Sequence, residues 1–175
     1  MKPVSEMTQI EIAAYVCSHL QKSGIQVVLS GGAAVAYRTE NRYVSADIDL
    51  VNIYSIARKK IYTAMLEIGF TEEGKFFKNP ESGWFIEFPK GPLAIGDEPI
   101  VNIDEIALIT GHLKILSATD SVKDRLSAFY HWGDEQCLQQ AVLIRHNSVV
   151  DLTEIERWSE NEGKLAQFKR FLAQE

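Results

Sequence analysis

One segment constrains the fold of this chain more than any other: residues 27–51, which run VVLSGGAAVAYRTENRYVSADIDLV. The apolar, β-branched residues from Ile25 to Leu29 predict a short buried strand. Two glycines end this strand, and the alanines that follow favour a helix. A second apolar strand is predicted from Ala46 to Ile53. A strand, a glycine turn, a helix and another strand in succession indicate an α/β fold.

The second of these strands carries two aspartates. Asp47 and Asp49 are two residues apart, so their side chains emerge from the same face of the strand, while Ile48 and Leu50 point to the other face. Two ionised carboxylates held this close repel each other, and a bound Mg²⁺ would relieve the repulsion with the oxygen ligands that it prefers. Taken alone, such a pair more often marks the exposed face of a surface strand.

The glycine turn supplies the second half of a candidate site. At Ser30, Gly31 and Gly32 the backbone can approach a phosphate closely, and a helix N-terminus offers unpaired N–H donors to an anion. Glycines beside a helix often serve only the turn, so this feature is also weak on its own. An anion-binding turn followed by a metal-binding pair of carboxylates is typical of a nucleoside-triphosphate site.

Composition limits the classes of protein to which the chain can belong. Its 175 residues, 46% of them hydrophobic, suffice for one well-buried core. The sequence has no apolar run of the roughly 20 residues that span a bilayer and no secretory signal pattern, so we expect a cytoplasmic protein with no membrane partner. A net charge of −6 argues against broad adhesion to nucleic acid, although a local basic patch can coexist with it.

Capping residues and periodicity predict the remaining elements. Thr8 and Glu11 form a capping box for a first helix, and Ser55 is predicted to cap the helix that follows the second strand. The middle of the chain alternates aromatic and β-branched residues with Gly and Pro. It predicts three or four strands, at residues 75–78, 84–88, 100–104 or 100–106, and 112–116.

From Asp120 onward the apolar period is helical, with Asp134 and Asp151 as candidate N-caps. We therefore predict an α/β (α+β) fold, a mixed sheet flanked by helices. Residues 1–119 form its core and residues 120–175 a helical region packed on that core. Four aromatic residues recur at helical spacing and are predicted to be core residues rather than platforms for a base: Trp132, Trp158, Phe168 and Phe171.

The segment 27–51 resembles the signature of the DNA polymerase beta-like nucleotidyltransferase superfamily: an apolar strand, a Gly-Gly turn, a short helix, and Asp-x-Asp on the next strand. GGAAVAYR, Arg42, Ser45 and DIDL are most similar to the abortive-infection (AbiEii-like) branch. The rest of the chain resembles it only loosely. The resemblance implies that the glycine turn binds the triphosphate and that Asp47 and Asp49 bind Mg²⁺.

The resemblance also implies a third carboxylate on a later strand, for which Glu87 in WFIEFPK is the best candidate and Asp104 the rival. The alternative for Glu87 is the exposed face of an amphipathic strand. A basic residue is expected on a later helix, where Arg125 stands at a position that is more usually lysine, with Lys123 nearby. Asp134 matches a later aspartate of the branch, or serves only as an N-cap.

These inferences define a candidate site. Its metal-binding and catalytic residues are Asp47, Asp49 and Glu87. The residues predicted to bind the nucleotide are Ser30, Gly31, Gly32, Arg42, Ser45, Lys123 and Arg125.

Three functional hypotheses follow. The first is a Mg²⁺-dependent enzyme that transfers a nucleoside monophosphate from an NTP to a hydroxyl group of an RNA, a protein or a small molecule. The second is a nucleotide-binding or protein-interaction module without turnover. The third, implied by the branch resemblance alone, is the toxin of a bacterial toxin–antitoxin pair, which would modify tRNA or a protein and have a cognate antitoxin as partner.

Overall fold

Apolar runs and capping residues define the first half of the fold. The computed structural model describes residues 2–174. The first helix begins directly after Thr8, and the predicted capping box is formed, with the backbone N–H of Thr8 donating to Glu11 Oε2 at 2.8 Å. A 3₁₀ turn at Val4–Glu6 precedes it. The elements that follow are α1 (Gln9–Lys22), β1 (Val27–Ser30), α2 (Gly31–Arg38), β2 (Asp47–Asn52) and α3 (Arg58–Glu67).

The predicted cap at Ser55 is wrong. Helix α3 begins at Arg58, its N-cap is Ala57, and no side chain caps it. Residues 53–57 are needed to carry the chain from the end of β2 to the start of α3, and this leaves Ser55 in the connection.

Seven further strands lie in the middle of the chain, and four helices follow. The strands are β3 (Thr71–Glu73), β4 (Phe76–Lys78), β5 (Phe85–Glu87), β6 (Ala94–Ile95), β7 (Glu98–Pro99), β8 (Ile103–Leu108) and β9 (Gly111–Leu116). The helices are α4 (Ala118–Trp132), α5 (Glu135–Asn147), α6 (Leu152–Asn161) and α7 (Leu165–Leu172).

The sequence missed β3, β6 and β7. Strand β3 consists of polar residues at an edge of the sheet, and β6 and β7 are two residues each, too short to show an alternating pattern. Strand β8 begins later than predicted and extends to Leu108.

Seven strands form one mixed sheet in the order β3-β4-β5-β2-β1-β9-β8, and β6 and β7 form a separate hairpin. Strand β1 pairs antiparallel with β2 and parallel with β9, and β2 pairs parallel with β5. The other neighbours are antiparallel. The structure therefore confirms the predicted α/β fold with a mixed sheet flanked by helices.

Two apolar clusters account for most of the core. The first joins α1 and α3 to the sheet, where Ile12, Met65 and Leu29 are fully buried. The second lies among α4 to α7 and includes Val35 of α2, so the C-terminal helices pack on the core through α2. Trp158, Phe168 and Phe171 belong to the second cluster, as predicted.

Trp132 does not share this placement. Its side chain is 80% exposed, because it is the last residue of α4 and Gly133 then turns the chain away in the left-handed conformation.

The caps of the C-terminal helices agree in part with the predictions. Asp134 and Asp151 are N-caps, and their carboxylates accept from the backbone N–H groups of Cys137 and Glu154 at 3.0 Å. Helix α4 begins at Ala118, earlier than the predicted start at Asp120, because Ser117 caps it. Among residues 2–174, no helix is long and apolar enough to cross a membrane.

Candidate active site

Strands β2 and β5 bring three carboxylates together. In the parallel pairing of these strands, Asp49 lies opposite Glu87, and Asp47 lies one pleat earlier on the same face. One carboxylate oxygen from each of the three residues lies within 4.8 Å of the others, and all three side chains are half-buried. Ile48 and Leu50 are fully buried on the other face, as the alternation predicts. We call Asp47, Asp49 and Glu87 the carboxylate cluster.

The rival third carboxylate is placed elsewhere. Asp104 lies on β8, at the far edge of the sheet from β5, and its Oδ2 accepts from Arg38 Nη2 at 2.6 Å. Its carboxylate is half exposed and paired with this arginine. Of the two candidates, only Glu87 reaches the two aspartates.

The glycine turn stands directly beside the cluster. Ser30 pairs with Asp49 across β1 and β2, and α2 begins at the next residue. Gly31 has a φ of +63°, and a Cβ built there would collide with the carboxylate of Asp49. A Cβ on Gly32 would lie 2.7 Å from Ser45 Oγ. Both glycines are therefore required by the close approach of their neighbours, and the free N–H groups of the first turn of α2 begin beside the carboxylates.

The three carboxylates lie close enough together to repel one another. Burial, together with the neighbouring charges of Asp47 and Glu87, raises the pKa of Asp49 to about 6, against the opposing effect of Arg125. A carboxyl group with this shift is more costly to ionise than an exposed one. Three carboxylates this close together form an all-oxygen donor set of the kind that suits Mg²⁺.

Two neutral side chains hold Asp47 in position. Ser45 Oγ donates to Asp47 Oδ1 at 2.9 Å, and Gln9 Nε2 donates to the backbone carbonyls of Ser45 and Asp47 at 3.0 and 3.1 Å. Ser45 was predicted to contact the nucleotide, and in the structure it supports a carboxylate. Gln9 was missed, because it is remote from β2 in sequence and belongs to no motif.

Comparison with known proteins rests on structure alone, since no protein family and no curated protein matches the chain by sequence. Its fold is similar to that of the antibiotic-resistance factor ANT(2'')-Ia, known from a solution structure and an aminoglycoside nucleotidyltransferase. The TM-score is 0.53 at 12% sequence identity, and the match covers 91% of this chain and 90% of that one.

The chain has a nucleotidyltransferase fold. At this identity the likeness concerns the fold alone, and the abortive-infection branch stays a prediction. The nucleotidyltransferase fold was predicted from residues 27–51, and the structural match now extends it over most of the chain.

The two basic residues predicted on α4 separate in space. Arg125 donates from Nη2 to Asp124 Oδ2 at 2.6 Å, and its charge lowers the pKa of Asp49. Lys123 is buried and pairs with Glu154 at 2.6 Å and Asp120 at 3.5 Å. Residues two apart on a helix point about 200° apart. The structure thus places Arg125 on the side of the carboxylate cluster. Lys123, which was predicted to bind the nucleotide, lies on another face of α4.

Two further predicted residues have simple placements. Arg42 lies in the loop before β2, and its side chain is exposed. Asp134 serves as the N-cap of α5, and its hydrogen bond from the N–H of Cys137 lowers its pKa.

One residue at the cluster carries no sequence signal at all. Lys75 lies in the turn between β3 and β4, and its Nζ is 2.8 Å from Glu87 Oε2. This hydrogen bond raises the pKa of Lys75. A lysine in a polar turn is ordinarily a solvated surface residue, so only the pairing of β4 with β5 shows that it reaches the cluster.

Proposed function

We propose that the protein is a Mg²⁺-dependent nucleotidyltransferase that transfers a nucleoside monophosphate from an NTP to an acceptor hydroxyl group. The observation that carries this proposal is the carboxylate cluster, which lies on the adjacent strands β2 and β5 directly beside the glycine turn. The nucleotidyltransferase fold supports it.

The metal site is proposed from its donor set. Asp47, Asp49 and Glu87 would hold the ion, because their oxygens are close enough together to share it. When bound, Mg²⁺ would stabilise charge on the attacking and leaving oxygens of a phosphoryl transfer. The raised pKa of Asp49 indicates that these carboxylates favour the approach of a cation.

The nucleotide site is proposed at the glycine turn. The N–H groups of Gly31 and Gly32, in the first turn of α2, would donate to phosphate oxygens. The Ser30 hydroxyl would add one donor. Arg125 is the cation on α4 on the cluster's side, although its present partner is Asp124.

The chemical step follows from this arrangement. The acceptor oxygen attacks the α-phosphorus, a new O–P bond forms, the bond to the β-phosphate oxygen breaks, and pyrophosphate leaves. The proton of the acceptor hydroxyl passes to a carboxylate, for which we propose Glu87. Holding the acceptor and the nucleotide in line supplies much of the rate enhancement in reactions of this class.

The hypothesis of a module without turnover is weakened by the same geometry. It was motivated by an uncertain third carboxylate and by the arginine at position 125. Glu87 lies beside both aspartates, which supports it as the third carboxylate.

Nucleotide binding provides the first test. We expect a non-hydrolysable ATP or GTP analogue to bind the purified protein in the presence of Mg²⁺, measured by calorimetry. Asp49→Asn should abolish the binding. Asp97→Asn, which changes an exposed carboxylate in the β6–β7 turn, is the matched control and should bind normally. Mg²⁺-dependent binding that survived the combined Asp47→Ala and Asp49→Ala changes would contradict the proposal.

Turnover requires an acceptor, which we propose to be a hydroxyl of RNA, a protein or a small molecule. Incubation of the protein with α-³²P-labelled NTP and a desalted cell extract should transfer label to the acceptor, and Asp49→Asn should transfer none. Nucleotide binding without label transfer would instead favour the module without turnover.

The toxin hypothesis, with a cognate antitoxin as partner, rests on the branch resemblance. Overproduction of the wild-type protein in a bacterial host should then slow growth, whereas Asp49→Asn should not. Harmless overproduction of intact protein would count against a toxin role and would leave the enzymatic proposal standing.

A further inference from the structure

The cluster already has a cation in contact with it. The Nζ atom of Lys75 lies 2.8 Å from Glu87 Oε2, although the lysine side chain is 63% exposed. The ammonium also lies 4.8 Å from the centre of the Phe76 ring. A long, exposed side chain that folds back onto a half-buried carboxylate gives up conformational freedom, so the contact must offset that cost.

The hairpin explains how the lysine arrives there. Strand β4 pairs antiparallel with β5, and Phe76 lies opposite Glu87. Lys75 is the residue before Phe76, and Gly74, with a φ of +65°, makes the turn from β3. The turn therefore places the Lys75 ammonium group beside Glu87, the third carboxylate of the cluster.

The other side chains near the cluster are neutral or form their ion pair with another residue. Ser45 and Gln9, which support Asp47, are neutral. The guanidinium of Arg125 donates from two nitrogens to Asp124, at 2.6 and 3.0 Å. Among residues 2–174, Lys75 is the cation that forms an ion pair with a member of the cluster.

We propose that Lys75 is a tethered counter-cation for the carboxylate cluster, which a divalent metal ion must displace from Glu87 in order to bind. This inference rests on the metal site of the proposed function. The ammonium occupies Oε2, one of the two oxygens with which Glu87 could hold a metal. An ammonium and a divalent ion on the same carboxylate also repel each other. The contact between Lys75 and Glu87 would thus raise the Mg²⁺ concentration that is needed to fill the site.

The test compares two lysines of the same hairpin. Lys78 Nζ pairs with Glu73 of β3 at 2.6 Å rather than with a member of the cluster. Lys75→Met and Lys78→Met remove the same charge from the same β3–β4 hairpin, so their difference isolates the contact with Glu87. Mg²⁺ affinity is measured by calorimetry on the full chain without nucleotide.

We expect Lys75→Met to bind Mg²⁺ about two- to fivefold more tightly than the wild type, the range that an exposed ion pair is worth in binding. Lys78→Met should match the wild type. Lys75→Arg keeps the charge and the donors and should retain the weaker wild-type affinity. An affinity that is unchanged or weaker in Lys75→Met, or equally tightened in Lys78→Met, would overturn the proposal.

The metal-free protein gives a second readout. Lys75→Met should lower its thermal midpoint more than Lys78→Met does, because the cluster loses its counter-cation. In a Glu87→Gln background the Lys75→Met change should have no further effect on the midpoint. An equal effect in both backgrounds would show that Lys75 acts elsewhere and would overturn the proposal.

Failure of this inference is distinguishable from failure of the metal site. If the wild type binds Mg²⁺ and Asp49→Asn does not, the site stands whatever Lys75 does. If Asp49→Asn leaves Mg²⁺ binding unchanged, the proposed metal site itself fails, and the displacement of Lys75 fails with it.

Discussion

Two groups of charged residues in this protein are built on opposite principles. The carboxylate cluster gathers three acids on one sheet face, with one exposed lysine in contact. The second group, which we call the ion-pair network, joins α4, α6 and the β6–β7 hairpin and alternates acids with bases. Its members are Glu98, Asp120, Lys123, Glu154 and Arg157.

The pKa values of one acid from each group are shifted in opposite directions. Hydrogen bonds from Arg157 and Lys123 lower the pKa of Glu154 to about 2, whereas burial and like charges raise the pKa of Asp49 to about 6. The network therefore stabilises the fold by pairing its charges. The cluster lowers the stability of the protein as long as no metal ion is bound. A group of side chains that destabilises the protein in the absence of a ligand is a candidate for function, while a satisfied network is explained by structure.

The largest expected effect comes from the glycine beside the cluster. Gly31→Ala places a Cβ against the carboxylate of Asp49 and also strains a backbone with positive φ. We expect nucleotide binding to weaken about 100-fold or more, since the loss of one or two hydrogen bonds to a charged group, at roughly 1.5–3 kcal/mol each, has an effect of this size. Calorimetry with a non-hydrolysable NTP measures it.

Gly163→Ala is the matched control for this change. Gly163 has a φ of +68°, and a Cβ built there meets nothing within 4 Å, so the substitution adds the backbone strain without the collision. It should lower stability and leave nucleotide binding intact. Equal losses of binding in the two variants would show that strain, and not the contact with Asp49, is responsible.

Neutralising one acid in each group should shift stability in opposite directions. In metal-free protein, Asp49→Asn should raise the free energy of unfolding by about 1–3 kcal/mol at pH 8, because a disfavoured charge is removed. Glu154→Gln should lower it by about 1–3 kcal/mol, because the buried Lys123 ammonium loses its closest partner. Urea denaturation measures both, and a shift of the same sign in both variants would break the distinction.

The pH dependence of stability should identify the network. The pKa of Glu154 is lowered in the folded state from 4.5 to about 2, so its contribution is fully present above pH 4.5 and is lost as the pH falls toward 2. Glu154→Gln should therefore unfold with a shallower dependence on pH in that window than the wild type. Parallel curves for the two proteins in acid titrations monitored by circular dichroism would contradict this assignment.

The smallest expected effect lies at the support of Asp47. Ser45→Ala removes the hydrogen bond to Asp47 Oδ1 and should weaken Mg²⁺ binding about two- to tenfold, the worth of one hydrogen bond. Ser127→Ala, at a half-buried serine of α4, is a control that should bind Mg²⁺ as the wild type does. A loss as large as that of Asp49→Asn would mean that Ser45 itself contacts the ligand.

Sequence analysis identified the parts of the site that lie close together in the chain. The alternation of Asp47, Ile48 and Asp49 follows from strand geometry, and the glycine turn follows from the apolar run before it. Glu87 was a choice between two carboxylates, and the pairing of β2 with β5 separated it from Asp104.

The features that sequence analysis missed depend on contacts between distant segments. Lys75 and Gln9 reach the site only through strand pairing and through the packing of α1 near β2. Lys123 was predicted to bind the nucleotide because it is close to Arg125 in sequence. In the structure α6 packs against α4, and Lys123 donates to Glu154 of α6. Helical spacing likewise placed Trp132 in the core, whereas the end of α4 leaves it exposed.

The central claim is that the carboxylate cluster, and not the ion-pair network, binds a divalent cation. The most direct measurement is anomalous diffraction from crystals soaked with Mn²⁺ and a non-hydrolysable NTP. We predict a peak about 2.0–2.3 Å from carboxylate oxygens of Asp47, Asp49 and Glu87, with the Lys75 ammonium moved away from Glu87. A peak that lies among the carboxylates of the ion-pair network, or the absence of any peak at the cluster, would contradict it.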